Sequence, residues 1–257
     1  MKELAHAIVK VYQRKLEKYR KTYNILGYTV NSFNTDENTT FRLVVVTAYD
    51  QRPFTKWAGG WEPIWGLGRG QKLPKLLNAK NLWNVHEVRS LTKEEIRERL
   101  EDTHFYSHTL ARYGSKDYAS MFVKAANMTK EFQTSLLSAK SGSDAVILWH
   151  MLAKGPKKIP CIAETIASKI IMYTLREIGV GNVKPADFPI KIVKPLLGEL
   201  HNTNAARVLG LTEPSIEDIL RILKEEYGDP FAIDGLYYAD REDPEAMREL
   251  RRAYQVI

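Results

Sequence analysis

Only one cysteine, Cys161, stands among 257 residues. That excludes an intrachain disulfide and any zinc or iron–sulfur site built from cysteines alone. No apolar run approaches the roughly 18 residues that a membrane helix requires, so no membrane partner is expected. The first residues, MKELAHAIVKVYQRK, are charged throughout and lack a signal-peptide core, which points to a cytoplasmic protein. Glycines are present but do not form a phosphate loop. There is no Gly-x-x-x-x-Gly-Lys-Ser/Thr, and the run GLGRG at 66–70 has no strand before it. No serine sits in a nucleophile elbow, and no His/Asp pair has triad spacing. Internal repeats, low-complexity tracts and long linkers are also missing.

What is present is an ordinary globular mixture with an uneven charge. Hydrophobic residues make up 44% and charged residues 27%, which excludes disorder over the whole chain. The net charge is +7. Residues 213–257 hold 12 acids and 6 bases, a local −6, which leaves +13 on residues 1–212. Such a bias is the electrostatic footprint of a protein that binds a polyanion.

Helical periodicity recurs along the chain and predicts an all-α fold. Residues 2–22 place Leu4, Ile8, Val11, Tyr12, Leu16 and Tyr19 on one stripe, with seven lysines and arginines on the remainder. The run Phe41–Tyr49 has strand-like β-branched content, but its surroundings favour a buried helix. Residues 57–70 hold three tryptophans and five glycines in fourteen positions, a composition that predicts loop and short turns. Thr92-x-x-Glu95 is a capping box opening a helix through Leu100. Further helices are expected from Tyr113 to Asn127, from a cap at Ser143 to a stop at Gly155-Pro156, from Glu164 to Glu177, near 190–200, from Ser215, and from Pro244. His104-x-x-x-His108, with Glu101 and Asp102 nearby, has metal-compatible spacing. The Ser/Thr-containing turn there means that the two histidines need not share a face, and no metal or other cofactor is expected.

The sharpest chemical signal lies between Ala145 and Ser168, which reads helix, LAKGPKKIPCIAE, helix. A short apolar hairpin between two helices can aim consecutive backbone N–H groups at a phosphate, and Lys154, Lys157 and Lys158 stand where they can neutralise it. The segment Ile159-Pro160-Cys161-Ile162-Ala163-Glu164-Thr165-Ile166-Ala167 resembles the hairpin of the helix-hairpin-helix DNA glycosylases, Leu-Pro-Gly-Val/Ile-Gly-x-Lys-x-Ala. The leaning is toward the archaeal 8-oxoguanine branch. Phe188-Pro189-Ile190-Lys191 stands where the family has x-Pro-Val-Asp at the start of a helix. FRLVVVTAYDQRPFTKWAGGW resembles its first core helix followed by a glutamine, and Glu94 to Lys124, with Tyr106, its next landmarks. Pro230-Phe-Ala-Ile-Asp234-Gly-Leu-Tyr-Tyr238 is similar to a segment that reaches the base pocket in that branch.

The resemblance implies a two-lobed fold, with residues 41–184 as a helical lobe ending in the hairpin and residues 1–40 plus 185–257 as a second lobe. The acidic C-terminal helices would then face away from DNA. It implies double-stranded, damaged DNA as partner, a monomer, a nucleoid-associated location in the cytoplasm, and a repair glycosylase with AP-lyase activity on an oxidised purine or similar lesion. Gln51 and Arg52 take the place of residues that fill the void behind a flipped base. Trp57, Trp61 and Trp65 offer stacking surfaces, and Trp57, Trp61, Asp234 and Tyr238 are the base-pocket candidates.

Departures from the family pattern fall at the chemistry itself. Both hairpin glycines are replaced, by Cys161 and Ala163, and glycine is what permits a positive φ and close phosphate approach. Thr165 stands in place of the Schiff-base lysine and Lys191 in place of the catalytic aspartate. Three readings stay open. Lys169, one helical turn beyond Thr165, is the amine. Lys191 is itself the nucleophile, which requires burial to lower its pKa. Or the protein binds DNA without cutting the glycosidic bond. A helical scaffold that binds another protein is a more distant possibility.

Overall fold

The computed structural model describes residues 1–67, 72–101 and 117–255, and the side chains of all of these except 52 and 53. The His104/His108 pair and Tyr106 lie outside the described residues, as does the expected start of a helix at Tyr113. No strand occurs among the described residues, and the fold is all-α. No described helix is long and apolar enough to cross a membrane.

In chain order the helices are α1 (Lys2–Ile25), α2 (Val30–Thr35), α3 (Glu37–Tyr49), α4 (Arg52–Ala58), α5 (Glu62–Trp65), α6 (Lys72–Ala79), α7 (Val85–Arg89) and α8 (Lys93–Glu101). Then follow α9 (Tyr118–Ser138), α10 (Gly142–Ala153) and α11 (Glu164–Ile171), the last passing directly into a π-helical segment, Met172–Ile178. The chain ends with α12 (Ile190–His201), α13 (Asn204–Val208), α14 (Glu213–Glu225), α15 (Asp234–Arg241) and α16 (Pro244–Gln255). These helices divide into two compact units: residues 1–24, 139–146 and 171–257, and residues 25–138 and 147–170.

The units divide after residues 24, 138, 146 and 170, whereas the resemblance implied lobes that divide after 40 and 184. Residues 25–40 join the central unit because Phe33 is buried there and its carbonyl accepts from Gln133 Nε2 on α9 at 2.5 Å. Residues 171–178 join the terminal unit because Glu177 is held by α1.

Local chemistry accounts for the helix ends. Thr92 and Glu95 form the capping box that their spacing predicts, with Glu95 Oε2 accepting from the Thr92 N–H at 2.7 Å. The start of α10 is capped two residues earlier than Ser143. Ser141 Oγ accepts from the Asp144 N–H, and Asp144 Oδ2 accepts from the Ser141 N–H at 2.9 Å. Residues 57–65 are not loop throughout. Left-handed Gly59 and Gly66 terminate two short helices, so the glycines act as stops after helical turns.

The central unit is organised around an aromatic cluster, in which Tyr49 stacks on Tyr118 at 4.9 Å and Phe54 meets Tyr49 edge-on at 5.0 Å. Both tyrosines are almost wholly buried.

The terminal unit is organised around a charge. The stripe on α1 carries Leu4, Ile8, Val11, Tyr12 and Leu16 into the core, and Lys15 goes with them, 4% exposed. Its ammonium is paired with Glu177 on the π segment and, at 2.7 Å, with Asp234 at the start of α15. The rings of Tyr12, Tyr19 and Tyr173 surround it at 5.7, 4.8 and 5.9 Å from their centroids. Tyr23 donates its hydroxyl to the second Glu177 oxygen at 2.7 Å. Burial would lower the Lys15 pKa, but the two carboxylates override it and hold the ammonium above its ordinary value. Burial pushes the Glu177 carboxyl upward, against the pull of Lys15. Gly235 makes this approach possible: a Cβ there would lie 2.7 Å from the carbonyl oxygen of Ile8 on α1.

Removing the ammonium strands Glu177. Lys15→Met is expected to destabilise the protein by about 4 kcal/mol, and Lys15→Met with Glu177→Leu to recover most of that loss. Without Lys15 the Glu177 pKa rises further, and a raised carboxyl pKa favours folding below it and is lost as pH climbs through it. Urea unfolding of the single variant is therefore expected to give greater stability at pH 5 than at pH 8.

Candidate nucleic-acid interface

The hairpin turn lies within the central unit, which holds α10 from residue 147 onward, while residues 142–146 of that helix belong to the terminal unit. Its first helix, α10, ends at Ala153, ahead of Gly155-Pro156 as the sequence predicts, with Gly155 left-handed at φ 72°. The Ile159 N–H returns to the carbonyl of Leu152 at 3.0 Å, and the Ile162 N–H closes a turn on the carbonyl of Ile159 at 3.2 Å. Ile159 and Ile162 are buried and pin the hairpin, while Pro160 and Cys161 are half-exposed and Ala163 is exposed. The second helix then opens at Glu164.

Cys161 carries the most informative backbone angle. Its φ is +65°, in the left-handed region that costs a side-chain-bearing residue roughly 1–2 kcal/mol. Among the described non-glycine residues only Asn81 shares a positive φ. The turn thus holds a cysteine in the conformation that glycine supplies at low cost.

Trp149, on α10, ties the two hairpin helices together. Its indole Nε1–H is shared between the Glu164 carbonyl oxygen at 3.2 Å and Ser168 Oγ at 3.1 Å, and both side chains are buried. Above the indole ring, at 5.0 Å from its centroid, stands the ammonium of Lys154, which also pairs with the Glu164 carboxylate at 2.8 Å.

The three hairpin lysines differ. Lys154 and Lys157 have carboxylate partners, Glu164 and Glu131, whereas exposed Lys158 has no ion pair among the described residues. Thr165 and Lys169 lie one turn apart on α11, each half-exposed.

Gln51 is half-buried before α4 and donates its side-chain N–H to the Ala48 carbonyl at 2.5 Å. The side chain of Arg52 lies outside the described residues. Trp57, on α4, is half-buried with the Lys72 ammonium 5.5 Å from its ring centroid, and Trp61 is half-buried between α4 and α5. Trp65 belongs to the core and donates to Asp50 Oδ2 at 3.1 Å.

The remaining candidates belong to the terminal unit. Asp234 is engaged by Lys15, and Tyr238 is buried with its ring edge-on to Tyr19 at 6.4 Å. The cap position of α15 is taken by Ile233, and Asp234 is the first residue of the helix itself. Lys191 is exposed on the first turn of α12. The burial required of a nucleophilic Lys191 is therefore not what its surroundings provide.

Sequence reasoning missed Lys15, Glu177, Trp149 and Ser168. Lys15 had a signal: it falls four residues after Val11 and three after Tyr12, on the apolar stripe itself. Trp149 and Ser168 had none, because their pairing depends on how the hairpin folds back. No family model, no curated protein and no solved structure matches the chain.

Replacing Cys161 by glycine removes the left-handed penalty at a half-exposed site. Cys161→Gly is expected to hold stability level or raise it by about 1 kcal/mol, despite glycine's greater freedom in the unfolded chain, whereas Cys161→Val should lower it. Thermal unfolding of both variants checks this.

Proposed function

We propose that the protein is a DNA repair glycosylase with AP-lyase activity, built on a two-lobed helix-hairpin-helix architecture. The observation that carries this reading is the left-handed backbone of Cys161, at the hairpin position where that family has glycine. Two helices joined by a pinned hairpin, a lysine on the second helix, and two compact units support it as well.

In this reading the hairpin and the first turn of α11 meet a phosphate with backbone N–H groups, and Lys158 adds a charge. The damaged base leaves the stack, with Trp57 or Trp61 offering a stacking face and Gln51 and Arg52 serving the void, while Asp234 and Tyr238 are taken up by Lys15 and by burial in the terminal unit. Lys169 supplies the nucleophile. Its deprotonated Nζ attacks the sugar C1′ and the glycosidic bond breaks. The base departs with the electron pair and takes up a proton. Loss of the amine proton and opening of the sugar ring give an imine, from which β-elimination expels the 3′ phosphate. Exposed Lys191 serves as a phosphate contact.

The test uses duplexes carrying 8-oxoguanine, uracil, hypoxanthine or an abasic site, with borohydride to trap the imine. At least one duplex is expected to be cut without alkali and to yield a trapped adduct. Lys169→Ala should abolish both while retaining binding. Lys191→Ala should leave trapping intact and reduce the salt dependence of binding by about one phosphate contact. Duplex binding with no cleavage of any substrate, even after alkali, would overturn the enzyme reading in favour of a non-catalytic DNA-binding protein.

A further inference from the structure

We infer that Trp149 is a positioning residue: its indole N–H fixes the rotation of α11 and thereby the aim of Lys169. This rests on the reading of Lys169 as the nucleophile, and the inference adds what holds that amine in place.

A helix can roll about its axis unless something off-axis restrains it. The Trp149 N–H reaches two points on α11, the Glu164 carbonyl in the first turn and the Ser168 hydroxyl one turn later. Both acceptors share one N–H, and the carbonyl of residue 164 points along the axis toward residue 168, so this is a single off-axis contact that fixes the rotation of α11. Ser168 is fully buried and immediately precedes Lys169, so the rotation that points its hydroxyl at Trp149 also sets where the lysine stem leaves the helix. The indole sits in a buried place against α11, and Lys154 covers its outer face while paired with Glu164. The same tryptophan therefore touches a lysine of the phosphate hairpin and the helix of the amine. A phosphate on the hairpin and the amine are in this way held in one geometry, and nucleophilic attack is sensitive to small displacements.

Ser168→Ala is the cleanest probe, because the Trp149 N–H keeps its bond to the Glu164 carbonyl and the fold loses little. Trp149→Phe and the double variant complete a cycle. On saturating abasic duplex, Ser168→Ala is expected to slow borohydride trapping on the order of tenfold, with thermal midpoint and duplex affinity close to wild type. The double variant should be no slower than Trp149→Phe, since both remove the same restraint. A second readout needs no DNA: the rate at which formaldehyde and cyanoborohydride methylate Lys169 in the free protein, followed by peptide mass spectrometry. Ser168→Ala should change that rate by about threefold or more, since the amine's surroundings set its proton affinity.

Unchanged trapping and methylation in Ser168→Ala would overturn the inference, leaving Trp149 as packing alone. Additive effects in the double variant would overturn it as well. If wild-type protein yields no trapped adduct, the glycosylase reading fails by itself. The methylation rates then still decide whether Trp149 sets the position of Lys169.

Discussion

An ammonium group removed from water must be given anions and π faces in exchange, and in this protein that requirement gathers the ends of the chain. Lys15 reaches Glu177 and Asp234 from opposite ends of the sequence, inside a ring of tyrosines. Each partner depends on a local backbone feature. Glu177 arrives through a π-helical segment, which changes the angular register of an α-helix, and Asp234 arrives because its neighbour Gly235 lets α15 close onto α1. Arg176, the residue before Glu177, turns to Asp229 with two hydrogen bonds of 2.8 and 2.6 Å. The terminal unit is thus specified by buried ion pairs whose loss on one side leaves an uncompensated charge.

The hairpin meets a comparable constraint with different means. Two buried isoleucines and the shared Trp149 N–H hold it, and the strain of a left-handed cysteine is tolerated within that frame. The left-handed turn, with its lysines and the helix carrying Lys169, is what the proposed DNA repair chemistry rests on. Two of the lysines are paired with glutamates, so in the proposed reading a phosphate would have to displace Glu131 and Glu164, while Lys158 has no ion pair among the described residues.

Much of the architecture was legible in the sequence because periodicity and capping are local. The stripe on α1, the buried run Phe41–Tyr49, the Thr92–Glu95 box and the stop before Gly155-Pro156 each depend on residues a turn apart. The tryptophan-rich stretch was harder to read, since its glycines end short helices that composition alone does not reveal. Lys15 was hidden by its charge: counted with the solvated face of α1, it proved to be the centre of a core. The π register after Ile171 and the Trp149–Ser168 bond were beyond reach, because both follow from tertiary packing. Lys191 was singled out by its place in a resemblance, and its exposure on the first turn of α12 could not be read from that place.

The proposed function requires the hairpin to be the place where DNA is held. Amide hydrogen exchange of the whole protein, with and without a duplex bearing a stable abasic-site analogue, tests that most directly. Slower exchange concentrated in residues 158–167, and reversed by added salt, is the expected result. A duplex that does not bind, or that binds while exchange across residues 154–169 is unchanged, would contradict it.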